Sequence, residues 1–177
     1  ILVTGGAGFL GRVVCRLLEE REVGEVIVPR SREYDLTDQN EVERVFRDTA
    51  PEIVLHLAAE VGGIGANRAN PGRYFFANMA MGLHLVEASR RHNVDKFVQV
   101  GTICAYPNHT PVPFAEQDLW NGYPEITNAP YGIAKKSLLV MLQAYLADYL
   151  AAADGQQSIS TTWQAIDHGK NTHKIRT

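Results

Sequence analysis

The sequence predicts an α/β fold, a doubly wound parallel sheet with helices on both faces, and three observations carry that prediction. Short apolar runs alternate with longer amphipathic ones, the order that produces parallel strands joined by crossover helices. The short runs are apolar at successive positions, as in strands covered on both faces. The first run passes directly into GGAGFLG and then into a helical pattern, so a glycine-rich turn joins strand to helix.

Taken in order, residues 1–4 form the first strand. Leu10, Val13, Val14, Leu17 and Leu18 then recur at helical spacing and are expected to face the core. Residues 25–28 (EVIV) read as the second strand, and residues 38–47 as a helix that ends before Pro51. Residues 53–57 form a buried strand. Pro71 opens a helix over residues 71–92, with Phe75, Met79, Met81, Leu83 and Val86 as its apolar positions. Residues 96–100 (KFVQV) are the next strand and residues 131–150 another long helix. The crossovers between parallel strands are expected to be right-handed. Residues 109–130, rich in Pro, Asn and Gly, are expected to be a long functional loop.

At 177 residues the chain has room for one domain with a real core and is short for two. That domain is expected to span residues 1–150. From there the sequence turns polar and weakly periodic, so residues 151–177 are expected to be a divergent tail. Hydrophobic content of 45% with 21% charged residues fits a soluble globular protein, and no apolar run approaches the length of a membrane span. The net charge of −3, with no stripe of basic residues interleaved with aromatics, argues against nucleic acid as a partner. Cys15 and Cys104 match no metal-ligand spacing, and the six His include no HxxxH or HExxH pair, so no metal site is expected. Two unpaired cysteines suit a reducing, cytoplasmic location. The chain opens on ILVTG without Met or signal peptide, so the native start is expected a few residues upstream.

The glycine-rich turn has the spacing of a phosphate cradle. Gly5 would permit the tight turn, Gly8 would let backbone approach a pyrophosphate, and Gly11 would let helix and strand pack closely. The helix that follows presents free amides and a partial positive charge to phosphates. Glycine also marks plain turns, and only the strand before and helix after raise the motif above that. Where an acidic residue would select NAD, the second strand ends in Val28-Pro29-Arg30-Ser31-Arg32, with Arg12 just past the glycines. Guanidinium groups there suit the 2′-phosphate of NADP, unless they are merely solvated.

Tyr131 and Lys135 are four residues apart at the start of the last helix and share one face. A nearby ammonium favours tyrosinate, so Lys135 is expected to lower the Tyr131 pKa and make it a better proton donor and acceptor. The preceding strand ends in Gly101-Thr102, whose hydroxyl can face the same pocket.

The order TGGAGFLG, HLAAEVGG, VGTICAYP and NAPYGIAK resembles the extended short-chain dehydrogenase/reductases that act on nucleotide sugars. Within them, AAEVGGIGAN, GTICAYP and PVPFAEQDLWNGYPEITNAPYGIAKK are similar to the GDP-L-fucose synthase branch, across residues 1–148. The resemblance implies a Rossmann-like domain with NADP(H) as cofactor. It also implies oxidoreductase and isomerase chemistry on GDP-4-keto-6-deoxy-mannose, namely 3,5-epimerisation and 4-reduction. Tyr131 would protonate the ketone oxygen at carbon 4 as hydride arrives from NADPH. Lys135 would tune Tyr131 and hold the nicotinamide ribose. Thr102 stands where the family usually has Ser. Cys104 matches a cysteine used in proton transfer during epimerisation, although by residue type it also reads as a small buried hydrophobe. Ala58 and Ala59 match a loop beneath the cofactor, and Val61, Gly62 and Gly63 a loop on the substrate side. Phe9, Leu10, Asp35, Leu36, Leu57, Val100 and Gly101 would line the cofactor as well. Asn78 is either a supporting partner of the site or a satisfied core Asn. The two long helices resemble those of a helical dimer interface, which implies a homodimer.

After the Tyr-Lys helix the resemblance stops. An intact member continues with a further strand, the His that partners the epimerisation cysteine, and a substrate-gripping C-terminal domain. His168 and His173 lie in the wrong sequence context to replace that His. The chain is therefore expected to be truncated before the substrate domain. Two other readings stay open: another nucleotide-sugar 4-epimerase or dehydratase, and an NADP-binding module or fragment without turnover.

Overall fold

The computed structural model describes residues 1–152, and these fall into two compact units. The first comprises residues 1–60 and 77–100, the second residues 61–76 together with those from 101 onward. The predicted polar tail, with His168 and His173, lies outside the described residues.

The first unit is built on β1 (Leu2–Thr4), α1 (Phe9–Glu20), α2 (Gln39–Thr49), β2 (Ile53–His56), the larger part of α4 (Pro71–Arg91) and β3 (Lys96–Gln99). The three strands pair in the order β1-β2-β3, all parallel, with Val3 opposite Leu55 and Leu55 opposite Val98. The predicted strand at residues 25–28 is reduced to one parallel bridge, Ile27 to Leu2, on the other side of β1. Two hydrogen bonds make it, Val3 N–H to the Ile27 carbonyl at 2.8 Å and Ile27 N–H to the Ile1 carbonyl at 2.9 Å. Pro29 has no amide hydrogen, which stops the ladder from extending. β1 thus has a neighbour on each side, reached by connections running in opposite directions. That reversal is the switch point where α/β sheets bind ligands beyond the carboxyl ends of their strands.

The core of this unit gathers Leu2, Leu36, Val42, Val45, Phe46, Val54, Met81, Leu85 and Ala88. α2 starts where Asp38 accepts a hydrogen bond from Asn40 N–H at 2.8 Å, and ends at Ala50 in a left-handed conformation just before Pro51. On two helices the buried face is shifted from the one expected, with Val14, Leu18, Met79, Met81 and Val86 at least half-buried as predicted and the other predicted positions exposed. On α1 the buried residues are Gly11 and Cys15, while Leu10, Val13 and Leu17 stay exposed. On α4 Met81, Leu85, Val86 and Ala88 point inward, while Phe75 and Leu83 are exposed. Both helices carry apolar residues on adjacent stripes, so periodicity alone cannot choose between them. On α1 a small residue decides, because only glycine at position 11 lets that face close on the turn beneath it.

The second unit contains the six-residue α3 (Ile64–Ala69), two 3₁₀ turns at Ile103–Ala105 and Glu116–Trp120, and α5 (Ala129–Ala152). Val61, Gly62 and Gly63, the expected substrate-side loop, carry no regular structure and lead directly into α3, a helix the sequence did not predict. The long loop at residues 109–130 is ordered by the second 3₁₀ turn and, at its flanks, by a bridge between Pro107 and Pro124. α5 begins two residues before Tyr131 and buries Ala134, Leu138 and Leu139. Among the described residues no helix is long and apolar enough to cross a membrane.

Candidate active site

The glycine turn in the first unit is shaped by backbone contact. Gly5 has φ +72°, and a Cβ there would lie 2.6 Å from the Ala58 nitrogen, so the turn rests directly on the chain leaving β2. A Cβ on Gly11 would lie 2.2 Å from the Gly5 carbonyl oxygen. Gly11 therefore lets α1 close on its own preceding turn, rather than on the strand as the sequence suggests. Gly8 meets only the Gly5 carbonyl, at 3.1 Å, and is otherwise open. It occupies the N-cap of α1 with no side chain to cap the first-turn amides, and that turn holds no acidic residue. Phe9, 97% exposed, and Leu10 project from this turn into solvent. An uncapped helix start with uncompensated positive dipole, floored by glycine, fits a pyrophosphate.

Thr4 locks the floor of this cradle. Its hydroxyl lies 2.7 Å from His56 Nδ1 and accepts from Ala58 N–H at 3.3 Å, while Leu57 N–H donates to the Thr4 carbonyl. Asn78, fully buried, accepts from Glu60 N–H at 3.0 Å and donates to the Glu60 carbonyl at 2.7 Å. It is thus a satisfied core amide, one of its two expected readings, and it ties the chain just after Ala58 and Ala59. Val100, half-buried at the end of β3, donates its N–H to the His56 carbonyl. Leu36 lies in the core, leaving only its backbone to a ligand.

The basic residues are all exposed and differently engaged. Arg12 folds back, its Nε donating to the Ala7 carbonyl at 2.9 Å. Arg32 pairs with the adjacent Glu33 at 3.3 Å, and Arg30 stands in the same turn. Asp35 accepts from the amide and hydroxyl of Thr37, which hold its carboxyl below the usual range.

Thr102, Cys104, Tyr131 and Lys135 all lie in the second unit, where the first three meet through hydrogen bonds. Gly132 makes this possible: a Cβ there would sit 2.1 Å from the Cys104 carbonyl oxygen, so α5 closes directly on the 3₁₀ turn after Thr102. The Thr102 hydroxyl accepts from Cys104 N–H at 3.2 Å and forms a hydrogen bond with the Tyr131 phenol. Gly101 precedes it, exposed and with nothing packed against it. Burial raises the Tyr131 pKa most, the Thr102 hydrogen bond opposes it, and the charge of Cys104 adds to the rise. The expected lowering of Tyr131 by Lys135 is therefore corrected, because desolvation outweighs any help from the ammonium. Lys135 itself is 2% exposed, and burial depresses its pKa to about 8. Cys104 is a free, half-buried thiol. It lines a cleft of about 220 Å³ with Tyr106, Asn108, Phe114, Glu125 and Asn128. Tyr106 and Phe114 stack there with ring centroids 4.9 Å apart. Among the described residues no group of three His, Cys, Asp or Glu is placed to hold a metal ion.

Sequence reasoning misses Gly6, Gly132, Thr4 and Glu125. A Cβ on Gly6 would lie 2.8 Å from both methyl carbons of Val28, a contact that nothing beside three motif glycines advertises. Gly132 lies inside the Tyr-Gly-Ile-Ala-Lys run, where only its neighbours signal chemistry. Nothing local marks Thr4 or Glu125, whose partners come from other elements or from the turn they organise.

Comparison with known proteins agrees with this geometry. The NAD dependent epimerase/dehydratase family matches residues 1–154. A GDP-L-fucose synthase of Sinorhizobium fredii is 37% identical over 149 residues, which cover 84% of this chain and 47% of the relative. The solved GDP-L-fucose synthetase from Naegleria fowleri bound to NADP superposes with a TM-score of 0.79 at 25% identity, covering 87% of this chain and 46% of that one. The solved UDP-glucose 4-epimerase of Thermus thermophilus in complex with NAD gives a TM-score of 0.70 at 31% identity, covering 84% and 51%. The chain spans about half the length of these relatives. With a family match over most of its length, the chain belongs to the NAD dependent epimerase/dehydratase family of extended short-chain dehydrogenase/reductases.

Proposed function

We propose that this chain is the nucleotide-binding half of an NADPH-dependent epimerase-reductase that converts GDP-4-keto-6-deoxy-mannose. The observation that carries the reading is the Cys104–Thr102–Tyr131 hydrogen-bonded group with Lys135 one turn further along α5. The GDP-L-fucose synthase similarity supports the substrate class, and the NADP-bound Naegleria structure supports the cofactor.

NADPH, when bound, supplies the hydride for carbon 4 of the ketosugar. The chain's residues do the rest. The uncapped start of α1 and the glycine turn bind the pyrophosphate, and Arg12, Arg30 and Arg32 are the cations available to a 2′-phosphate. Phe9, Leu10, Leu57, Ala58, Ala59, Val100 and Gly101 complete the proposed lining. Tyr131, kept protonated by its raised pKa, donates its phenolic proton to the ketone oxygen as hydride arrives. Thr102 then stabilises the tyrosinate by hydrogen bonding, and Lys135, whose pKa of about 8 leaves it mostly protonated at neutral pH, supplies positive charge. The Cys104 thiol is one of the two proton-exchanging groups that inversion at the adjacent carbons requires, acting on one face of the sugar. A homodimer through α4 and α5 belongs to this reading, supported by exposed Phe76 and Leu83 on α4 and Val140 on α5. Sedimentation of Leu83→Glu as a monomer, against a dimeric parent, tests it.

A nucleotide-binding module without turnover is the second reading, which the uncapped glycine turn would serve equally. Fluorescence titration with NADPH and NADH, for the parent and Arg32→Ala, followed by assay on the ketosugar, separates the two. Saturable NADPH binding with reduction supports the enzyme. Binding without reduction selects the module, and no binding of either nucleotide overturns both. Equal affinity for NADH and NADPH, unchanged in Arg32→Ala, would remove the 2′-phosphate assignment alone.

A further inference from the structure

Two contacts in the second unit join segments that the chemistry above does not connect. Asn67, 8% exposed on α3, donates from Nδ2 to Asn128 Oδ1 at 2.9 Å, across 61 residues of sequence. Asn128 immediately precedes α5, and its carbonyl accepts from Gly132 N–H at 2.8 Å in the first turn that carries Tyr131. The turn leading to Asn128 is organised by Glu125, whose carboxylate accepts from Thr127 N–H at 3.0 Å, from the Thr127 hydroxyl and from Asn128 N–H at 3.1 Å. Arg68, the next residue on α3, lies near enough for its charge to act on the Glu125 carboxylate. α3 also packs against Gly62 in the loop before it. A Cβ on Gly62 would lie 2.6 Å from the Ala66 Cβ and 2.7 Å from the Tyr74 hydroxyl, so the loop is wedged against its own helix.

We propose that the Asn67–Asn128 amide pair is a latch that fixes α3 and the 61–63 loop against the start of α5, and so sets the spacing between that loop and Tyr131. Asn67 is a positioning residue; it reaches Tyr131 only through Asn128 and the first turn of α5. The substrate consequence rests on the proposed reductase reading. A loose latch lets the loop drift, which weakens the hold on the sugar, while Thr102, Tyr131 and Lys135 keep their own geometry through Gly132 and Cys104.

The test uses the full chain with Asn67→Leu, which removes the donor, and Asn67→Asp, which keeps a hydrogen bond once the Asn128 amide rotates to donate. Hydrogen–deuterium exchange across residues 61–69, NADPH affinity, and KM and kcat for the ketosugar are measured. Asn67→Leu is expected to accelerate exchange at 61–69 about tenfold and to raise KM about tenfold, as for one lost buried hydrogen bond. NADPH affinity and kcat should change less than about threefold, and Asn67→Asp should restore both exchange and KM. Unchanged exchange in Asn67→Leu overturns the latch, as does a fall in kcat with KM unmoved. If the parent chain reduces no ketosugar, the enzymatic reading fails on its own, and the exchange measurement still decides the latch.

Discussion

The glycine turn and the Thr102–Tyr131–Lys135 cluster are built by opposite means. In the first unit the working surface is backbone: Gly5 and Gly11 remove side chains so that a turn, a strand exit and a helix start pack within atomic contact. In the second unit the working surface is side chains, and their surroundings adjust them: burial raises Tyr131, depresses Lys135, and leaves Thr102 to bridge phenol and thiol backbone. A backbone site tolerates almost no added atom, whereas a side-chain site tolerates shape and responds to charge. The two units should therefore fail differently when perturbed.

The largest effect is expected for Tyr131→Phe, which removes the donated proton and should lower ketosugar reduction about 10³-fold while leaving NADPH affinity as in the parent. Joint loss of both would show that the two units are not separable in this way. Gly11→Ala should instead act on folding and cofactor binding. Its Cβ would strike main chain with no room to yield, costing about 3 kcal/mol of stability and most of the NADPH binding. Thermal denaturation and fluorescence titration read both, and a wild-type melting temperature would contradict the close packing.

Lys135→Met probes the charge side of the comparison at a similar size. Burial puts the folded lysine pKa at about 8, below its ordinary 10.5. Between those values the unfolded chain binds more protons, so stability of the parent rises as pH climbs through the window. The Met variant lacks that slope and should be more stable below pH 8, by about 3 kcal/mol, with the difference vanishing at the alkaline end. Denaturant melts across that range decide it; parallel curves would mean the lysine is not desolvated. Smallest is Thr102→Val, which removes the one contact that lowers Tyr131. The phenol should titrate at higher pH by ultraviolet absorbance and reduction should slow about tenfold, with Thr102→Ser close to the parent.

Much of this is legible in the chain because the signals are local. Strand, glycine turn and helix follow one another within twenty residues at the start of the chain, and Tyr131 and Lys135 share a helix face by spacing alone. The strand at residues 25–28 is only half legible, since its pairing depends on Pro29 and on β1 beside it. The buried faces of α1 and α4 are shifted from the expected ones where two apolar stripes compete. The direction of the Tyr131 shift differs too, because the lysine is visible in the sequence and the desolvation is not.

The sequence by itself determined most of the order of elements, the glycine turn between first strand and first helix, and the family, because each depends on residue type at short spacing. Tertiary structure alone decided that Gly132 brings α5 onto Cys104, that Thr4 and Asn78 lock the floor of the cradle, and that Asn67 meets Asn128. It also decided which way each titrating group is pushed. Those outcomes depend on burial and on contacts between distant segments, and neither exists until the chain has folded.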